Sequence, residues 1–79
     1  MSNDEKGEMM AAFFPKGWEV IPADGGFTVR NRKGEEKRVV LEDSFLAVDG
    51  ISFNFRNFED SVSMLVAFVM EAFDGKPRL

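Results

Sequence analysis

The chain has no cysteine and no histidine. The first absence excludes disulfides and thiolate metal sites. The second removes the commonest metal ligand and the commonest general base. A net basic charge is missing too. The formal charge is −4, opposite in sign to most nucleic-acid-binding domains. The longest apolar run, Met64 to Met70, falls far short of the ~18–20 residues that cross a bilayer. The opening MSNDEKGE has neither the positive region nor the apolar run of a signal peptide. These absences lead us to expect a soluble, cytoplasmic protein with no membrane contact, no metal and no cofactor.

What is present points to a packed core. Hydrophobic residues make up 44% of 79, with nine Phe and one Trp, a composition that favours folding over disorder. The length allows a single domain, residues 1–79, in which residues 1–8 could be disordered. So short a chain buries a small share of its surface and is marginal alone. With disulfides and thiolate metal sites excluded, self-association or partner binding is left to strengthen it.

The pattern along the chain reads as α+β. Ser2 to Phe14 could open a short helix capped by Ser2, Asn3 or Asp4, with Met9, Met10, Ala12, Phe13 and Phe14 as its apolar side. Gly7 weakens that helix by ~1 kcal/mol relative to Ala, and Pro15 and Gly17 end it. Strand signals follow at Trp18–Pro22, Phe27–Asn31 and Glu36–Leu41, joined by turns at Ala23–Gly26 and Asn31–Gly34. The clearest local signal is SFLAVDGISFNF, Ser44 to Phe55. Asp49-Gly50 fits a two-residue type I′ turn. That register sets Val48 opposite Ile51, Leu46 opposite Phe53 and Ser44 opposite Phe55, all on one face. Asn57 fits the N-cap of a C-terminal helix, and Asp74-Gly75 with Pro77 its end. The expected architecture is a four- to five-stranded antiparallel β-meander. One C-terminal α-helix packs across a face, and a short N-terminal helix is optional.

That last helix sets a problem. At 100° per residue, Val62, Leu65, Val66, Val69 and Phe73 share one side, widened by Phe68 and Ala72 on one flank and Met70 on the other. Asp60, Ser63, Ala67, Glu71 and Asp74 form a narrower opposite side, with Met64 at its edge. The apolar arc covers roughly half the circumference, while a helix lying on a sheet needs about 100°. The N-terminal segment, a second copy of the helix, or an apolar surface of a different protein could cover the excess. The expected assembly is a homodimer through this helix.

No catalytic pattern emerges. Glu35-Glu36 and Glu42-Asp43 are neighbours whose side chains diverge on a strand. Glu59-Asp60 sits in a first helical turn, where acids favour the dipole. No hydroxyl lies in a glycine-flanked elbow, and none has a His base. Asp24-Gly25-Gly26 lacks phosphate-loop spacing and reads as a turn. Trp18 and Phe27 could stack bases but suit a core equally well, and we read them as core.

Two surfaces remain as binding candidates. The first combines the acids Glu42, Asp43, Asp60, Glu71 and Asp74 with an apolar patch at Met64 and Phe68, suited to a basic or apolar site on a larger protein or complex. This implies a non-enzymatic interaction module, a small stand-alone inhibitor or adaptor. Phage-encoded inhibitors and other small acidic proteins of mobile elements share this size and charge, an analogy of class without a motif. The second is the segment Arg30–Arg38, with five basic and two acidic residues, a local +3 that leaves −7 elsewhere. There Arg30, Arg32, Lys33, Lys37 and Arg38 would contact phosphates in a nucleic-acid-binding homodimer.

Overall fold

A computed structural model describes residues 3–74. Helix α1 (Asn3–Phe13) is followed by β1 (Glu19–Ala23), β2 (Gly26–Arg30), β3 (Glu36–Leu41), β4 (Phe45–Val48), β5 (Ile51–Asn54) and helix α2 (Phe58–Asp74). Each strand pairs antiparallel with the next, in the order β1-β2-β3-β4-β5. The architecture is the α+β meander that the pattern implies, with five strands and with the N-terminal helix formed. Of the stretch 1–8, residues 3–8 belong to α1, and 1–2 lie outside the described residues. The helix stop read at Gly75 and Pro77 also lies outside them.

Local chemistry sets the turns. Asp49 and Gly50 both take positive φ, 55° and 79°, as a type I′ connection requires. Val48 then pairs with Ile51 and Leu46 with Phe53, and the Phe55 N–H donates to the Ser44 carbonyl at 2.9 Å. Between β2 and β3, the Asn31 side-chain oxygen accepts from the Lys33 and Glu35 amides at 3.0 and 2.9 Å. This side chain organises the turn from inside, as Asn does well. Asn57 caps α2, its side-chain oxygen accepting from the Asp60 amide at 3.2 Å.

One face of the sheet is covered by helices and the other is open. Phe27 and Val29 from β2, Val39 and Leu41 from β3, and Leu46 and Val48 from β4 point into the covered side and are buried. Val62, Leu65, Val66 and Val69 of α2 meet them, all nearly free of solvent. The two helices lie side by side, and α1 contacts both β1 and α2. At one end of the fold, Trp18 stacks on Phe14 with ring centroids 5.3 Å apart and meets Phe73 edge-on at 5.0 Å. These rings tie the end of α1, the start of β1 and the end of α2 together. Trp18 is thus a packing residue, as expected.

Helix α1 has little amphipathic pattern of its own, so its packing must hold it in place. Met10 is fully buried, and Gly7 is buried beneath it in sequence by one turn. A Cβ on Gly7 would stand 2.7 Å from the Phe27 ring. The residue that weakens the helix is therefore the one that lets it approach the sheet. Gly26 is tighter still, since an added Cβ would come within van der Waals overlap of the Val39 carbonyl oxygen. Replacing Gly7 with Ala should forfeit its propensity gain of ~1 kcal/mol and give a net loss of about 1–2 kcal/mol by overpacking. Gly26→Ala should cost about 3 kcal/mol, because backbone rather than a ring is in the way. Urea unfolding midpoints measure both, and a stabilised Gly7→Ala would contradict this account of α1.

Candidate functional site

The exposed side of α2 runs Asp60, Ser63, Met64, Ala67, Glu71, Asp74, one line at helical spacing. Acids sit toward its ends and apolar groups occupy its middle. Met64 is 53% exposed, whereas Phe68 is only 5% exposed. The two residues named together as a patch therefore differ. Phe68 turns inward and packs against Phe53 of β5, centroids 5.4 Å apart, and only Met64 presents itself to solvent.

Beside Met64 lies a groove between α2 and β5. Its one half is lined by Phe53, Met64, Ala67, Phe68 and Glu71. The other half continues past Phe53 and Met64 to Asn54, Phe55, Arg56 and Ser61. The chain direction orients this groove. Helix α2 starts next to the end of β5, as the Phe55–Phe58 ring pair shows at 6.0 Å, and runs back along it. Arg56 therefore marks one end and Glu71 the other. Along β5, Ile51 is 55% exposed, and Ser52 and Asn54 are exposed on the opposite face.

The remaining acids are distributed in two groups. Glu42 and Asp43 lie exposed in the β3–β4 turn, where the Glu42 amide donates to the Phe45 carbonyl at 2.9 Å. This turn is at the same end of the fold as Asp60, since Ser44 is paired with Phe55 just before α2. Glu71 and Asp74 are at the other end. The five acids thus form no single cluster. Among the described residues, no group of three or more potential ligands is placed to hold a metal. No helix among them is long and apolar enough to cross a membrane.

The basic segment is dispersed more thoroughly. Arg30 is held by Glu19 and Glu36, each at 2.8 Å, on the open face of the sheet. Glu36 first, then Glu19, raises its pKa beyond the ordinary value, so its charge is fixed and locally neutralised. Lys37 points to the opposite, helix-covered face. There it pairs with Asp49 at 2.6 Å and sits 5.8 Å from the Phe73 ring. Arg38 donates to the Asp24 carbonyl. The Arg32 side chain lies over Gly17, and Lys33 is exposed in the turn.

No protein-family model, curated protein or solved structure matches this chain.

Phe53, Arg56 and the edge of β5 are part of the groove and were not among the residues read as a site. The signal was available, because a meander that ends at Asn54 must leave its last strand as an edge. Truncation separates the two residues of the patch. Met64→Ala should change stability by less than ~0.5 kcal/mol, as an exposed position does. Phe68→Ala should cost about 3–5 kcal/mol by opening a cavity against Phe53. Equal losses by thermal unfolding would contradict this placement of the two side chains.

Proposed function

We propose that this chain is a non-enzymatic protein–protein interaction module, an inhibitor or adaptor that docks on a larger protein through apolar and acidic surface. The observation that carries this reading is the apolar groove between β5 and α2, with Met64 exposed at its centre and acids flanking it along the helix. One exposed apolar side chain is ordinary, but Met64 is contiguous with Phe53, Ala67 and Phe68 in the groove, and a contiguous apolar patch is what marks an interaction surface. The net charge of −4 gives a basic target long-range attraction and fast encounter. Asp60 and Glu71 flank the apolar contact, and Glu42, Asp43 and Asp74 extend the field. Their placement at two ends of the fold suits a broad contact better than a small-molecule site. Resemblance to phage-type inhibitors rests on size and charge alone.

The alternative, a nucleic-acid-binding homodimer using Arg30, Arg32, Lys33, Lys37 and Arg38, has weaker support. Lys37 and Arg38 are neighbours on a strand and so face opposite sides of the sheet. Arg30 already carries two carboxylates. A phosphate contact there would have to displace them.

Capture from a native lysate with tagged protein, with and without nuclease, tests the proposal. A stoichiometric protein partner should survive nuclease, and Glu42→Lys combined with Asp43→Lys should weaken its capture at least about tenfold. Capture that collapses with nuclease, or that ignores the charge reversal, would count against docking through this surface.

A further inference from the structure

We propose that the groove between β5 and α2 is completed by a second copy of this chain, docked edge to edge through β5 so that the two sheets become one of ten strands. The proposal rests on reading the groove as an interaction surface, names a second copy as its occupant, and leaves a target protein to the acids away from the groove, Glu42, Asp43 and Asp74. It moves the expected homodimer contact from the helix alone to the strand edge beside it.

The two edges of the sheet are treated differently. At the β1 edge, Glu19 and Pro22 lie on the strand and α1 packs against it. Charge, proline and a covering helix are the usual protections of an edge. Strand β5, Ile51-Ser52-Phe53-Asn54, has no charge and no proline. It is last in the order, and among the described residues no strand pairs with its outer side.

The phase of its backbone is fixed by the turn. A two-residue hairpin makes Val48 and Ile51 a hydrogen-bonded pair, and every second residue repeats this. The Phe55 amide bonded to the Ser44 carbonyl confirms the phase. Ile51, Phe53 and Phe55 thus direct their backbone groups to β4. Ser52 and Asn54 direct both N–H and C=O outward.

A two-fold axis perpendicular to the sheet at Phe53 satisfies those groups completely. It places Ser52 opposite Asn54 of the second copy, and Asn54 opposite its Ser52. Each pairing exchanges two hydrogen bonds, four in all, and no outward group between Ile51 and Asn54 is left over. The same axis keeps every side chain on its own face. Phe53 meets its counterpart in a non-hydrogen-bonded position, where side chains come closest. Ile51 meets Phe55 of the second copy.

Because Arg56 and Glu71 mark opposite ends, the axis brings Arg56, in the bend after β5, toward the Asp49–Gly50 turn of the second copy and the Glu71 end of its groove. Asp49 there already pairs with its own Lys37, so Arg56 adds to that pair without displacing it. The two Glu71 carboxylates stay apart. The spacing also accounts for Met64. Of the strands, α2 contacts β4 most, so where it passes over β4 the two α2 helices lie three strand intervals of ~4.8 Å apart, about 14 Å. Direct helix packing needs 8–10 Å, so long flexible side chains must fill the gap. Met64 and Phe53 from both copies do so, and Met suits such a space.

Light scattering and sedimentation equilibrium from low to high micromolar concentration test this. A concentration-dependent dimer is expected. Ser52→Pro removes only an outward N–H, which an edge strand tolerates. It takes two hydrogen bonds from the dimer and should raise its dissociation constant about tenfold or more. Ile51→Lys places a charge in the seam and should act in the same direction. Circular dichroism confirms that each variant is folded, and if Ser52→Pro is not, Ile51→Lys decides. A single monomeric mass throughout overturns the proposal and leaves the groove to a segment of a different protein. A dimer unaffected by a folded variant also overturns it, placing the contact elsewhere. Either failure leaves nuclease-resistant, charge-dependent capture of a target as a separate result.

Discussion

Everything in this fold depends on covering α2. Its apolar arc is wider than one sheet can shield, and each Val, Leu or Phe left in water forfeits about 1.5–3 kcal/mol of burial. The sheet takes the centre of the arc at Val62, Leu65, Val66 and Val69. One flank is taken by α1, which has little reason to be a helix apart from that contact. Gly7 lets α1 come close, Met10 fills the space beneath it, and Lys6 lies 5.6 Å from the Phe58 ring. The N-terminal segment is thus a structural component of the core, and the aromatic chain Phe14–Trp18–Phe73 closes it at one end.

The other flank is covered less fully. Phe68 finds Phe53, but the line through Met64 and Ala67 meets only the last strand and then solvent. The same place holds an unprotected strand edge. These two deficits lie next to each other, so one event can repair both. Strand pairing satisfies the backbone while apolar side chains fill the groove above it. Evenly distributed surface would offer no such coincidence. The acids at Glu42, Asp43 and Asp74 lie away from the seam, so a dimer would carry two sets of them toward a target.

Much of the fold was legible because its signals are local. Asp49-Gly50 determined the register of β4 and β5. Asn57 marked the start of α2, and Gly34 the β2–β3 turn. The side of α2 that α1 covers could not be read, because α1 has almost no periodicity and its key residue is a glycine chosen for a distant ring. Phe68 and Met64 looked alike as members of one helix, and they separate only once Phe53 is seen beneath. The scatter of the basic segment follows from strand alternation at Lys37 and Arg38 and was within reach. What alternation could not supply was the neutralisation of Arg30, which needs Glu19 from a strand eleven residues away.

The central claim is that β5 is an edge only in the isolated chain. Residue-resolved amide hydrogen exchange at several protein concentrations tests it most directly. In dilute solution the β5 amides should alternate, with Ile51 and Phe53 slow and Ser52 and Asn54 fast. As concentration rises, Ser52 and Asn54 should become protected together while the other two change little. Fast exchange at Ser52 and Asn54 at every concentration would contradict the account.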